Sequence, residues 1–167
     1  IFSYCTVFNS DIASWQTITI QNMSGAFFGA YAFNGNVGGW NVSNVTDMGS
    51  MFGRASAFNQ DLNSWNVAKV TDMSSMFSQA PAFNGNVSSW DVSKVTNMAS
   101  MFNQADAFNS DVSGWNTGNV TNMSSMFDRA TVFNQNLNAW NVSKVTSLVR
   151  MFTAATAFNG DVSSWNV

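Results

Sequence analysis

The stretch Ala82–Phe102 reads AFNGNVSSWDVSKVTNMASMF, and close copies of it recur along the chain every 25 residues. Each copy carries a phenylalanine followed by an asparagine, then a tryptophan seven positions after that phenylalanine. A fixed period of this length is typical of a solenoid, in which equivalent residues of successive coils stack. We therefore predict a single repeat domain over residues 1–167, with about six to seven copies. The copies begin near Phe8, Phe33, Phe58, Phe83, Phe108, Phe133 and Phe158.

The apolar pattern inside one copy predicts a short strand followed by a short helix. Trp40-Asn41-Val42 alternates inward and outward as a strand does, and Val37, Trp40 and Val42 have the L-x-x-L-x-L spacing of a leucine-rich repeat. From Met48 the apolar residues recur at i, i+3, i+4 and i+7, which is one face of a helix with Thr46 as its N-cap. The predicted fold is an α/β solenoid. It is a right-handed, leucine-rich-repeat-like coil with one strand and one helix per repeat and a parallel sheet on one face.

Two polar positions also recur in every copy. The asparagine after the first phenylalanine, as in Asn34 and Asn59, predicts a buried ladder whose amides bond backbone in their own and neighbouring coils. Two residues further on, aspartate and asparagine alternate, which predicts that each amide donates to the neighbouring carboxylates and relieves their repulsion. A column of calcium sites is the rival interpretation of this alternation. The alternating positions are Asp11, Asn36, Asp61, Asn86, Asp111, Asn136 and Asp161.

The composition argues against several functions. Charged residues are 9 % of the chain and the net charge is -3, which gives no reason to expect nucleic acid as a partner. The chain has no His and no Glu, so neither a hydrolytic triad nor a metal site is evident. We predict no enzymatic activity, no cofactor, no metal and no membrane-spanning segment. The single cysteine, Cys5, stands where other copies have alanine and is expected to be a small buried residue.

One outward-facing column is the candidate partner-binding face. It lies on the predicted strands and is small, flat and polar, which suits a glycan or an extended polymer better than a protein hot spot. A face that serves only solubility remains an equal alternative. The column consists of Asn41, Asn66, Asp91, Asn116 and Asn141.

N-glycosylation sequons are frequent, although many arise simply because the chain is rich in Asn, Ser and Thr. In a eukaryotic source some of them are candidates to carry glycans, and these would block the proposed binding face. The sequon asparagines are Asn22, Asn41, Asn44, Asn86, Asn119, Asn122 and Asn141.

The run W-x-V-x-x-V-T-x-M-x-x-M-F closely resembles the BspA-type leucine-rich repeat of microbial surface proteins. Ala82–Phe102 carries it unchanged, and Ala107–Phe127 carries it with Thr117 where Val is usual. The resemblance covers essentially the whole chain. It implies a solenoid domain of a secreted or surface-anchored protein from a bacterium or a unicellular eukaryote. Members are regarded as adhesins that bind matrix proteins or other cells, and the family offers no catalytic residues to assign here.

Two functions follow as hypotheses. The first is a non-enzymatic, extracellular or cell-surface domain for adhesion to a matrix protein, a glycan or other cells. The second is a building block of an extracellular filament, sheath or appendage, in which copies of the chain or other subunits are the partners. Neither end of the chain shows a polar cap, so we expect a fragment of a longer array.

Overall fold

The structure, a computed structural model, describes residues Ile1–Val167 as a stack of coils in register. It contains no α-helix and no strand longer than one residue, because almost every segment is a turn or an extended link. No helix is therefore present that could cross a membrane. The predicted α/β leucine-rich-repeat fold is wrong. The only sheet-like pairing is a column of isolated parallel bridges, one residue per coil, through Asn22, Asp47, Asp72, Asn97, Asn122 and Ser147.

The coils are built largely from three five-residue units that begin with Asn or Asp, except where Gln16 and Ser147 take that position. In Asn86–Trp90 the Asn86 Oδ1 accepts the N–H of Ser88 at 3.0 Å, and the Trp90 N–H closes a turn onto the Val87 carbonyl at 3.2 Å. Asp91–Val95 and Asn97–Met101 repeat both bonds. This geometry is an Asx-turn followed by a β-turn. The segment predicted as a strand is thus a corner of the coil.

The segment predicted as a helix is a chain of turns whose N–H groups alternate between two uses. The N–H groups of Met51 and Ala55 bond carbonyls three residues back in the same coil. Those of Met48 and Phe52 bond carbonyls of the next coil at 3.0 and 2.9 Å. A helix would keep every one of these bonds inside the segment. Two successive four-residue turns also bring i, i+3, i+4 and i+7 to one side, which explains why the pattern suggested a helix.

These turns place non-glycine residues in the left-handed region. Ser50 and Arg54 have φ of 55° and 59°, and equivalent residues elsewhere bring the number of such non-glycine positions to eleven. The left-handed conformation costs an L-residue roughly 1–2 kcal/mol. The N–H groups of Ser50 and Arg54 donate to the next coil, and the N–H groups that follow them turn back to carbonyls of their own coil. These hydrogen bonds offset the cost of the left-handed conformation.

The threonine column ties coils together and caps no helix. Both the N–H and the Oγ1 of Thr71 donate to the Thr46 carbonyl, at 2.8 and 3.2 Å. Thr96 makes the same pair of bonds to Thr71. The predicted role of Thr46 as an N-cap is wrong, and its hydroxyl donates to the Gln21 carbonyl of the preceding coil instead.

The core is one continuous cluster that contains three aromatic ladders. In five of the six adjacent tryptophan pairs the ring centres lie 6.2–6.5 Å apart and the rings are nearly parallel, which confirms the stacking that the repeat predicts. Phe77 stacks on its counterparts Phe52 and Phe102, at 5.7 Å in each case, and also lies 3.8 Å from Phe83 of its own coil. Packing of this kind adds roughly 0.5–1.5 kcal/mol per aromatic pair to the burial itself.

Every indole except that of Trp15 also donates a hydrogen bond to the coil before it. The Trp90 Nε1–H donates to the Leu62 carbonyl at 2.9 Å, and Trp115 does the same to Val87 at 3.1 Å. These carbonyls already accept a turn bond in their own coil. The indole therefore uses the second lone pair of an otherwise buried acceptor, which fixes the register of adjacent coils.

The asparagine ladder exists, but the expectation of burial is wrong. Asn84 Oδ1 accepts the N–H of Asn109 at 2.8 Å, and the same bond links every adjacent pair along the column. The side chains are exposed, and the bonds use only the oxygen and only the neighbouring coil. Cys5 is exposed as well, because no coil covers it, unlike the buried alanines at its register.

Replacing Phe77 with alanine should lower the free energy of unfolding by about 3–5 kcal/mol, because the ring is 0 % exposed and central to a ladder. Denaturant unfolding followed by tryptophan fluorescence measures the loss. Val132→Ala is the control, since Val132 is 45 % exposed and its loss should change stability by less than about 0.5 kcal/mol. A Phe77→Ala loss under about 1 kcal/mol would contradict a continuous core.

Asn84→Ala should destabilise the chain by about 0.5–1.5 kcal/mol, because the Asn109 N–H loses its acceptor. Asn84→Asp keeps an oxygen at that position and should remain close to wild type, since the amide nitrogen donates no bond. The same unfolding assay compares the two variants. Equal losses for alanine and aspartate would show that the amide nitrogen matters, against the geometry of the ladder.

Candidate functional site

The predicted partner-binding column lies on the surface, although no strand carries it. Asn41, Asn66, Asp91, Asn116 and Asn141 are all exposed. One side-chain oxygen of each accepts the N–H two residues further on, at 3.0–3.2 Å. The repetition of these residues is thus explained by turn formation. Their remaining amide or carboxylate atoms face solvent as a uniform polar stripe.

Lysines and asparagines beside this stripe bond one another between coils. The Lys69 Nζ donates to Asn44 Oδ1, and Lys144 Nζ donates to Asn119 Oδ1, both at 2.6 Å. The two asparagine amides in turn donate to backbone carbonyls of the preceding coil. These bonds hold the lysine and asparagine side chains in place between coils.

The alternating acidic column also serves turn formation. Asp111 Oδ1 accepts the Ser113 N–H at 2.9 Å, and Asn86 and Asn136 make the same bond, with no amide donating to a neighbouring carboxylate. The predicted mutual pairing in this column is therefore wrong. Amide-to-carboxylate bonds do occur in the bridge column, where Asn97 Nδ2 donates to Asp72. No group of three or more acidic or cysteine side chains is positioned to hold a metal ion.

Three turn aspartates have a lowered pKa. The hydroxyl and then the N–H of Ser93 lower the pKa of Asp91 below the usual 3.8, and Lys94 adds to this effect. Ser113 lowers the pKa of Asp111 in the same way, through its hydroxyl and then its N–H. At Asp161 the N–H of Ser163 comes first and its hydroxyl second. These hydrogen bonds favour the charged carboxylate.

The sequon asparagines differ in whether their amide nitrogen is already bonded. Asn22, Asn44 and Asn119 donate to Asp47, to the Ile18 carbonyl and to the Ser93 carbonyl respectively. A glycan on any of these nitrogens would remove a bond between coils. The nitrogen makes no such bond at Asn41, Asn86, Asn122 and Asn141. Of these four, Asn41, Asn86 and Asn141 are exposed and are the predicted sites that the fold accommodates best, whereas Asn122 is half-buried.

Another face of the solenoid also carries side chains that vary between coils, and the pattern analysis missed it. At the register of Arg54 the coils carry Tyr4, Gly29, Arg54, Gln79, Gln104, Arg129 and Ala154. At the register of Tyr31 they carry Thr6, Tyr31, Ser56, Pro81, Asp106, Thr131 and Thr156. Comparing copies position by position would have found these columns, because they change while the inward positions beside them hardly do.

The two variable columns form a shallow groove of about 290 Å³, which we name the variable groove. One wall is Arg54, Gln79 and Gln104, and the other is Tyr31, Ser56, Pro81 and Asp106. Tyr31 is 44 % exposed. The Arg54 guanidinium lies 5.4 Å from the centre of the Phe28 ring, a cation–π contact that orients it.

Comparison with known proteins identifies a family for the whole chain. A family described as "Mycoplasma protein of unknown function, DUF285" matches residues 1–109 and 85–167. No curated protein matches the chain.

The lowered pKa values of Asp91 and Asp111 predict a pH dependence of stability. A carboxyl group whose pKa is lower in the folded state contributes stability above its unfolded value near 3.8 and loses it as the pH falls through the folded value. The double variant Asp91→Asn/Asp111→Asn keeps both acceptors, as Asn66 and Asn86 show at the same registers. Its stability, measured by denaturant unfolding, should fall less steeply below pH 3.8 than that of wild type. An equal or steeper fall would contradict the assignment.

Proposed function

The chain belongs to the DUF285 family, and on that premise we propose that it is a non-enzymatic recognition domain of a secreted or surface-anchored protein. It binds a matrix protein, a glycan or another cell through the sides of its solenoid. The family description assigns no function, so the proposal rests on the surface of this chain and on the resemblance of its repeat to microbial surface proteins.

The variable groove is the observation that carries the proposal. The backbone bonds, aromatic ladders and Asx-turns need nearly the same residues in each coil, so the fold explains why those positions repeat. It does not require a tyrosine, a proline or an aspartate at successive positions of one column. Side chains that differ along a regular scaffold give each coil a distinct contact, and binding surfaces of solenoids are built in this way.

The character of these side chains supports binding. Tyrosine and arginine are over-represented among residues that dominate binding energy. The Gln79 side chain makes no hydrogen bond within the chain, and neither does Asp106 through its carboxylate. Polar side chains left free beside an exposed ring are available to a partner. The Asn41 column, by contrast, has one oxygen of every side chain committed to a turn.

The proposal is tested by binding of the folded chain to arrays of matrix proteins and glycans. We expect saturable binding to at least one array member, and loss of that binding after heat unfolding of the chain. Light scattering on the same preparation measures association between copies. Absence of binding to every array member would overturn recognition. If that absence came with growth in particle size at rising concentration, the chain would instead be a building block of an assembly.

A further inference from the structure

We propose that the variable groove binds an extended, β-linked neutral glycan of the cellulose or chitin type, with one sugar ring on Tyr31 and the following rings along Arg54, Gln79 and Gln104. The inference rests on the proposed function, because it names the class of ligand for that same surface. The contacts, the charge and the direction of the groove support it.

The groove combines one flat apolar surface with a row of planar polar groups. The exposed Tyr31 ring offers a face on which the C–H face of a pyranose packs. Arg54 supplies several N–H donors and Gln79 supplies two donors and an acceptor. Gln104 donates one N–H to Asn103 Oδ1, and its other N–H and its oxygen remain for a ligand. Sugar hydroxyls both donate and accept, so they match such a mixed row better than the side chains of an apolar peptide.

The charge of the groove favours a neutral ligand. Arg54 lies in the second unit of the groove and Asp106 at its far end, so the lining residues carry no net charge. The whole chain has a net charge of -3, which disfavours polyanions such as sulfated glycans. A neutral chain of sugars is not subject to this repulsion.

The groove also runs along the stacking direction of the coils. Its lining residues come from four consecutive coils, from Tyr31 to Asp106. Coils joined by backbone hydrogen bonds are roughly 4.8 Å apart, which is close to the advance per sugar of an extended β-linked chain. Successive rings therefore meet equivalent positions of successive coils. An α-linked glucan curls and cannot follow this line.

The test is calorimetric titration of the folded chain with cellohexaose, chitohexaose and maltohexaose. We expect an extended hexasaccharide to bind and α-linked maltohexaose to bind at least about tenfold more weakly, which corresponds to about 1.4 kcal/mol. Tyr31→Ser and the double variant Gln79→Ala/Gln104→Ala should each weaken binding about tenfold or more. Both changes copy residues that the chain already carries at these registers, in Ser56 and Ala154.

Gln21→Ala is the matched control, since Gln21 is exposed outside the groove and its side chain makes no hydrogen bond. It should bind as wild type does, and tryptophan fluorescence should show all variants folded. The inference fails if no extended hexasaccharide binds, if maltohexaose binds equally well, or if the groove variants retain affinity. When the array of the previous section finds a protein ligand and the hexasaccharides do not bind, only the glycan assignment fails. When the array finds no ligand at all, the recognition function fails as well.

Discussion

Hydrogen bonds between equivalent backbone segments of adjacent coils are the constraint on which this structure depends. Within Met48–Ala55 every second N–H donates to the next coil and the intervening ones close turns in their own coil. Neither set would be stable alone, because a short turn in water gains little from a single hydrogen bond. Stacking satisfies both sets together, and each added coil repeats the same bonds.

The side chains follow from this backbone arrangement. When coils stack in register, identical residues meet, so an aromatic position becomes a ladder and an indole N–H finds the carbonyl of the coil before it. Polar side chains must likewise lie next to identical or similar side chains of the adjacent coils. Asn and Asp do so by directing one oxygen into a turn of their own coil, as at Asn86 and Asp91, and leaving the rest of the side chain in water.

The same constraint separates positions that hold the fold from positions that are free to vary. A residue that holds the fold must recur, because every coil needs the same contact. A residue that makes no such contact can change from coil to coil. The Asn41 column recurs and forms turns, while the columns of Tyr31 and Arg54 change and line a groove. The regularity of the Asn41 column is therefore explained by turn formation, and the variable groove is the surface on which we base the proposed recognition.

The sequence by itself determined the register of the coils, the inward residues and the tryptophan ladder, because a 25-residue period requires equivalent residues to stack. It also placed Asn34 and its equivalents in a ladder between coils. Secondary structure was decided only by the tertiary structure. The spacing of Met48, Met51, Phe52 and Ala55 fits one helix face and two successive turns equally well. The choice depends on where each N–H finds its acceptor, and that acceptor belongs to the neighbouring coil. The variable groove was likewise decided only by the tertiary structure, since its walls join residues from four coils that are distant in sequence.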